Sequence, residues 1–409
     1  MNSNKPKVKL PPLEEWQQPV FDDIREGIKD QYVVKAKRQV GKSILAEVIL
    51  LYFAFSNANS IGVMIEPTLG QGRRVFKQLI KSIPEQTLIK SANATLLEIE
   101  FINGSMILFR AAEQKENLRG LTVKGSVLII DEAAFIQQDI FEILYPLVDA
   151  NHCPVLFIST PLFTSGEFYN KYIEGTHENP ITKSYNWSEY DTSKYLSYEK
   201  LMYYRDRLSP LKFRSEYEGE FITEGSYVFG DINRSVRPYS KKPALYGGLD
   251  WGAGGGNDST VLVFLDEDCC VTALHTTNNL SPTEQIDWLS TVLNGTPTLI
   301  SVQVEMNSIG TVYKDMLQGK TSVFINEFYT TNDTKRRIIE QLITAFQQGI
   351  IKIPNDPELL HQLSHYNIEK TKTGYTYNGE GAHDDMVMAL AFAYDSYLNG
   401  GGGFAIAFA

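Results

Sequence analysis

At 409 residues the chain is too long for one ordinary core and suits two domains. Hydrophobic residues make up 43% and charged residues 21%, a globular proportion that argues against disorder along the whole length. The formal charge of -11 gathers mostly after residue 225; it excludes an unspecific polybasic nucleic-acid coat but leaves room for a local basic groove.

The N-terminal stretch through Trp16 is polar and lacks the apolar segment of a signal peptide. Residues 31–36 form an apolar strand candidate, and Gly41 precedes a helical stretch from Lys42 to about Phe55. That stretch is interrupted by Glu47 and too short to span a bilayer, so no membrane association is expected. Ile61–Glu66 is a second strand, and the spacing of Val75, Leu79 and Ile80 predicts a helix over Arg73–Ser82. Leu96–Phe101 and Ser105–Arg110 alternate on either side of Asn103-Gly104, a hairpin signal. Val127–Ile130 and Val155–Ser159 are unbroken apolar runs, as in strands buried on both faces. Strands separated by helices predict a doubly wound, parallel sheet.

From about 166 to 225 the apolar runs stop, and residues 226–244 read as a linker between domains 1–225 and 245–409. Tyr246–Trp251, Ser259–Leu265 and Cys270–His275 follow as three strands in succession. Then come helix Glu284–Leu293, strands Leu299–Glu305 and Ser322–Phe328, helix Thr334–Phe346 and a last helix over Asp384–Leu398. Cys153, Cys269 and Cys270 make neither a disulfide framework nor a CxxC zinc site and fit a reducing cytoplasm. The tail after Gly400 reads as a flexible terminus.

Chemistry enters at Lys35–Ser43, between a strand and a helix. Ala36 stands where the pattern GxxxxGK[ST] has its first glycine, while Gly41-Lys42-Ser43 is intact. Backbone N–H groups at a helix start attract phosphate, Lys42 suits the terminal phosphates, and the Ser43 hydroxyl suits Mg2+. Val127–Glu132 ends a buried strand in two carboxylates. Asp131 suits Mg2+, in its inner or outer shell, and Glu132 suits a general base that polarises the attacking water. Ser159 and Thr160 end the next strand with small hydroxyls, a place from which hydrolysis can be sensed.

In the second half, Asp250 precedes a glycine-rich loop, Glu305 ends a strand ahead of Asn307 and Gly310, and His383-Asp384-Asp385 opens the last helix. Convergent carboxylates repel unless a cation neutralises them. Hard oxygen donors without a Cys/His set point to Mg2+ or Mn2+. Two such ions, about 4 Å apart, stabilise the attacking and leaving oxygens of a phosphodiester. Helical neighbours point about 100° apart. The apolar stripe of the last helix therefore puts Asp385 nearer the sheet and Asp384 at the rim, although either could be the ligand. Arg73, Arg74 and Lys77, and Lys335, Arg336 and Arg337, form two basic helix faces suited to gripping DNA, or simply to solvation.

With these residues in view the chain resembles the large terminase subunit of tailed bacteriophages. Arg38-Gln39-Val40-Gly41-Lys42-Ser43 is similar to that family's variant phosphate loop, which tolerates Ala36. Ile129–Phe135 resembles its Walker B strand and catalytic glutamate, and Ser159-Thr160-Pro161 its coupling motif. Trp16-Gln17-Gln18 resembles the adenine-contacting motif, through Gln17 or Gln18, and Arg119-Gly120 the position of an arginine finger. LDWG, VQVEMNSIG and HDDMVMALAFA resemble a ribonuclease-H-like nuclease triad, with Glu305 where many relatives carry Asp. The resemblance implies an N-terminal P-loop (ASCE-type) ATPase on a mostly parallel sheet and a C-terminal ribonuclease-H-like α/β nuclease. It implies catalytic roles for Glu132, Arg119, Asp250, Glu305 and Asp385. Nucleotide contacts would come from Arg38, Gln39, Gly41, Lys42, Ser43, Asp131, Thr160 and a glutamine of the pair. Metal would be held by Ser43 and Asp131 in one site and by Asp250, Glu305 and Asp384 or Asp385 in the other.

The implied activity is ATP-driven translocation of double-stranded DNA into a prohead, with endonuclease cutting of concatemers. ATP and Mg2+ would be the cofactors, with Mn2+ usable by the nuclease. A portal protein and a small terminase subunit would be partners, with a homo-oligomeric ring forming on the prohead in the host cytoplasm. Helicase-like ATPases with a fused resolvase-like nuclease fit less well, because too little chain precedes 226–244 for tandem motor domains. A transposase or integrase has no use for residues 35–43 and 127–132, and a nucleotide-gated scaffold has little use for Glu132.

Overall fold

Three unbroken apolar runs set the centre of the first sheet: each strand is flanked by parallel neighbours and has both faces covered, so it needs no polar alternation. The computed structural model describes residues 10–400 except 84, 194, 253–258, 307–309, 372–373 and 380–383. His383, Asn307, the glycine-rich loop after Asp250 and the tail past Gly400 lie outside the described residues.

The first unit runs to Met202 and takes in Leu211–Glu224. Its elements are α1 (Gln18–Glu26), β1 (Gln31–Lys35), α2 (Lys42–Ser56), β2 (Ile61–Glu66), α3 (Leu69–Ser82), β3 (Ile89–Asn93), β4 (Glu98–Phe101), β5 (Met106–Ala111), β6 (Leu128–Asp131), α4 (Gln138–Leu144), α5 (Pro146–Asp149), β7 (Val155–Ser159), α6 (Glu167–Thr176) and β8 (Thr182–Asn186). The sheet order is β3-β4-β5-β2-β6-β7-β1-β8. All pairings from β5 to β8 are parallel, and only β3–β4 and β4–β5 are antiparallel. The expected hairpin is β4–β5, turning at Gly104 with φ 80°.

α3 begins four residues before the expected start, because Thr68 and Gln71 form a capping box. The stretch from 166 to 225, poor in apolar runs, still contributes α6 and β8. Strand β8 is an edge strand that buries only Thr182, so no apolar run marks it.

The second unit contains β9 (Tyr246–Asp250), β10 (Thr260–Leu265), β11 (Val271–Thr277), α9 (Pro282–Asn294), β12 (Ser301–Glu305), α10 (Gly310–Gln318), β13 (Phe324–Phe328), α11 (Asn332–Gln347), α12 (Pro357–Ser364), β14 (Tyr366–Thr371), β15 (Gly374–Gly379) and α13 (Asp385–Asn399). Before these come α7 (Tyr198–Arg205) and α8 (Pro210–Phe213). The second sheet has the order β11-β10-β9-β12-β13, antiparallel across its first three strands and parallel across its last three.

Residues 226–244, expected as a linker, pack into this unit. The Val228 N–H donates to the Tyr366 carbonyl, Phe229 packs on Phe346 and Tyr366, and the Arg237 N–H donates to the Ile353 carbonyl. The buried apolar residues there are Val228, Phe229, Ile232 and Ala244, too few and too scattered among polar residues and prolines to read as an element.

Candidate active sites

In a parallel sheet all carboxyl ends open on one rim, where ligands bind in open α/β folds. β2, β6, β7 and β1 are consecutive in the first sheet, so their C-terminal residues line up as Glu66, Asp131, Ser159 and Lys35. Three motifs far apart in sequence meet there. After β1, Ala36 continues the strand pairing through its N–H to the Ser159 carbonyl (2.9 Å), and its φ is negative, so a side chain fits where the usual loop has glycine. Gln39 (φ 62°) and Gly41 (φ 85°) then turn the chain through left-handed backbone into α2. A Cβ on Gly41 would lie 2.3 Å from Gln17 Nε2.

Gln17 is buried. Its Nε2 donates to the Gly41 carbonyl (2.9 Å), and Trp16 Nε1 donates to the Val40 carbonyl (3.0 Å). The two residues therefore brace the loop from behind. Gln18 is exposed and donates to Asp22, away from the loop. Arg38 is held outward by Glu216, through its guanidinium (2.8 Å) and its N–H to the Glu216 carbonyl (2.7 Å).

At the rim, Lys42 Nζ donates to Glu132 Oε1 at 2.9 Å. Ser159 Oγ and Thr160 Oγ1 donate to Glu132 Oε2, both at 3.3 Å. Glu132 sits in left-handed backbone (φ 47°), and its N–H donates to Asp131 Oδ1 (2.9 Å). Burial pushes the Glu132 carboxyl up, but the charge and hydrogen bond of Lys42 outweigh it and hold the group below the ordinary range. Asp131 goes the other way, raised first by burial and then by Glu132. Ser43 opens α2 beside Lys42. Arg119 is exposed; its ion pair is with Glu116 at 4.0 Å, so within one chain it does not join the Lys42–Glu132 cluster.

The sequence reading passed over Glu66, although the run Ile61–Glu66 ends in a carboxylate as Val127–Asp131 does. Among the described residues no three His, Cys, Asp or Glu side chains form a ready metal cage. The donor set still suits a hard divalent cation: the Ser43 hydroxyl and Asp131 carboxylate are oxygens, and among the described residues buried Asp131 has no counter-charge as close as Lys42 is to Glu132.

The second site is built on β9 and β12. Leu249 pairs with Val304 in parallel register, so Asp250 and Glu305 end adjacent strands side by side. Gly248 lets α13 lie against β9: a Cβ there would sit 2.1 Å from the Ala393 nitrogen and 2.2 Å from the Ala389 carbonyl oxygen. One turn before Ala389, Asp385 comes to the same strand ends, buried, with its Oδ2 accepting from the Ser259 N–H (3.0 Å).

Asp384 occupies the N-cap position of α13 without capping it. Instead its Oδ2 accepts from Lys335 Nζ (2.9 Å) and from the Tyr366 hydroxyl (3.2 Å). Burial, then the charges of Asp384 and Asp250, push the Tyr366 phenol far up. Lys335 also donates to Asn378 Oδ1 (3.0 Å). Arg337 pairs with buried Asp395 (2.6 Å) and Arg336 with Asp333. The basic face expected to grip DNA on α11 is thus committed to carboxylates of its own unit, whereas Arg73, Arg74 and Lys77 are exposed.

A family model described as "Terminase large subunit, T4likevirus-type, N-terminal" matches residues 35–234, and one described as "Terminase RNaseH-like domain" matches residues 247–396. The large terminase subunits of Thermus virus P23-45 and Thermus phage G20c are each 24% identical over 415 residues, covering 88% of this chain and 83% of theirs. Among solved structures, the large terminase of a thermophilic bacteriophage is similar with a TM-score of 0.66 at 15% identity, covering 94% of this chain and 99% of that one. The same phage protein solved in complex with ADP gives a TM-score of 0.64 at 15% identity, covering 95% of this chain and 100% of that one. At this identity the likeness is one of fold.

Proposed function

The chain belongs to the terminase large subunit family, an enzyme with an ATPase unit and a nuclease unit, and from that premise we propose that it is a viral DNA-packaging motor. ATP hydrolysis in the first unit drives double-stranded DNA into a prohead, and the second unit cuts concatemeric DNA. The observation that carries this reading is the meeting of Lys42, Glu132 and Thr160 on one rim, in a chain where Asp250 and Glu305 also end adjacent strands of a second sheet.

The N–H groups at the start of α2 face an incoming phosphate. Lys42 gives up Glu132 to neutralise the terminal phosphates. The freed carboxylate accepts the proton of the attacking water. Ser159 and Thr160 hold its second oxygen and feel its change of partner, which links hydrolysis to movement of β7. Mg2+ on Ser43 and Asp131 would supply charge neutralisation at the phosphates. In the second unit Asp250, Glu305 and Asp385 would hold Mg2+ or Mn2+, which supplies charge stabilisation at a phosphodiester. Lys335 and Tyr366 fix Asp384 beside that set.

Arg119, exposed, suits an arginine finger reaching a neighbouring subunit of a homo-oligomeric ring. A portal protein and a small terminase subunit are the partners of this reading, on a prohead in the host cytoplasm. Among the described residues no helix is long and apolar enough to cross a membrane.

The test is a pair of variants assayed for ATP hydrolysis, for plasmid cutting with Mn2+, and for protection of DNA inside proheads. Lys42→Ala removes hydrolysis and packaging but leaves cutting. Asp250→Ala removes cutting and leaves hydrolysis. Hydrolysis that survives Lys42→Ala, or wild-type chain that never protects DNA in proheads, overturns the reading.

A further inference from the structure

Strand β2 lies beside β6 in parallel register, with Val63, Met64 and Ile65 opposite Leu128, Ile129 and Ile130. Continuing that register brings Glu66 level with Asp131, on the same face of the sheet and at the same rim. The Ala112 N–H donates to the Glu66 carbonyl (2.8 Å), which fixes the backbone there. The side chain is 1% exposed, and its Oε1 has no hydrogen-bond partner among the described residues.

A buried polar atom without a partner is uncommon and calls for an explanation. An apolar side chain would serve a purely structural role better, as Met64 and Ile65 do in the same strand. Burial, then the charges of Asp131 and Glu132, push the Glu66 carboxyl up, so these three acids share one neighbourhood, with Arg74 and Lys42 the opposing charges. Among the described residues the three acids do not form a ready metal cage, which leaves a contact through water as the way Glu66 can serve a cation held by Asp131.

We propose that Glu66 is a positioning carboxylate of the nucleotide-metal site, accepting hydrogen bonds from water on the divalent cation that accompanies the nucleotide beside Asp131. The proposal rests on the ATPase reading of the first unit. Groups that orient a metal's own ligands typically change its affinity about 10- to 100-fold when removed.

The full-length chain, in excess over ATPγS, is titrated with Mn2+, and free Mn2+ is read by electron paramagnetic resonance. The nucleotide-dependent part of the binding isolates this site from the nuclease. Glu66→Gln weakens that part about 10- to 100-fold, while ATPγS affinity in EDTA stays within about 2-fold. Asp131→Asn is the positive control. Glu66→Met, apolar and of similar length, carries the same test if the Gln variant does not fold. Mn2+ affinity within about 2-fold of wild type in a folded Glu66 variant overturns the proposal, whatever happens to its unfolding temperature. If Lys42→Ala leaves ATPγS affinity untouched, it is the nucleotide reading itself that fails.

Discussion

Lys42 and Glu132 neutralise each other across 2.9 Å, so each is the other's competitor for a ligand. Glu132→Gln keeps the shape of the side chain but loses the charge and the base. Steady-state hydrolysis should fall about 10²- to 10⁴-fold. ATPγS should bind at least as tightly as to wild type, because Lys42 no longer has a carboxylate to leave. Equilibrium binding beside steady-state turnover checks both halves, and weaker nucleotide binding would count against the competition. In the other unit the adjacent aspartates have different surroundings. Asp385 is buried against the ends of β9 and β10, whereas Asp384 is held by Lys335 and Tyr366. Asp385→Ala should stop Mn2+-dependent plasmid nicking as completely as Asp250→Ala does. Asp384→Ala and Lys335→Met should each reduce it less, and by similar amounts if the ion pair is what matters. A dead Asp384→Ala with an active Asp385→Ala would reverse these roles.

Among the elements, α2 is the helix most nearly apolar all round, and Glu47 is buried in it with Oε1 lacking a partner among the described residues. Burial raises its carboxyl above the usual range, against hydrogen bonds to Ser82 and Gln78. A carboxyl raised in the folded state favours folding most below its unfolded value, roughly pH 4.3, and loses that contribution as pH climbs through the raised value. Glu47→Gln should therefore stabilise the first unit little at pH 4.5 and by about 1 kcal/mol at pH 8. Denaturant midpoints at the two pH values decide it, and an equal shift at both refutes the charge argument. Glu47 also shows what the sequence made legible. It interrupted an apolar run without hiding the helix, because length and the preceding glycine still marked α2. β2, β6 and β7 were legible as unbroken apolar runs and β1 as a shorter apolar stretch, and the hairpin was legible from its Asn103-Gly104 turn. Strand β8 was not, because an edge strand buries little. The same split holds at the sites. Lys42, Asp131 and Glu132 announce themselves by motif, but the bracing of the loop by Trp16 and Gln17, and the hold of Lys335 and Tyr366 on Asp384, arise from tertiary contacts with no local signature.

For the whole molecule, the second unit takes Tyr203–Pro210 and everything described from Gly225 onward except Gly374. A fragment starting at Gly225 keeps Val228, Phe229 and Ile232, while one starting at Leu245 loses them. Each buried apolar side chain contributes roughly 1.5–3 kcal/mol. The shorter fragment should melt on the order of 10 °C lower or fail to fold, whereas the longer one should cut DNA with Mn2+ and without ATP. Equal melting temperatures would return 226–244 to the status of a linker. The same division has a consequence for biosynthesis. The chain leaves the first unit at Tyr203 and comes back to it at Leu211–Glu224. On the ribosome, then, the Glu216 that holds Arg38 emerges only after a piece of the second unit has already appeared. The loop proposed to meet the nucleotide is finished late, by a residue made 178 positions after Arg38.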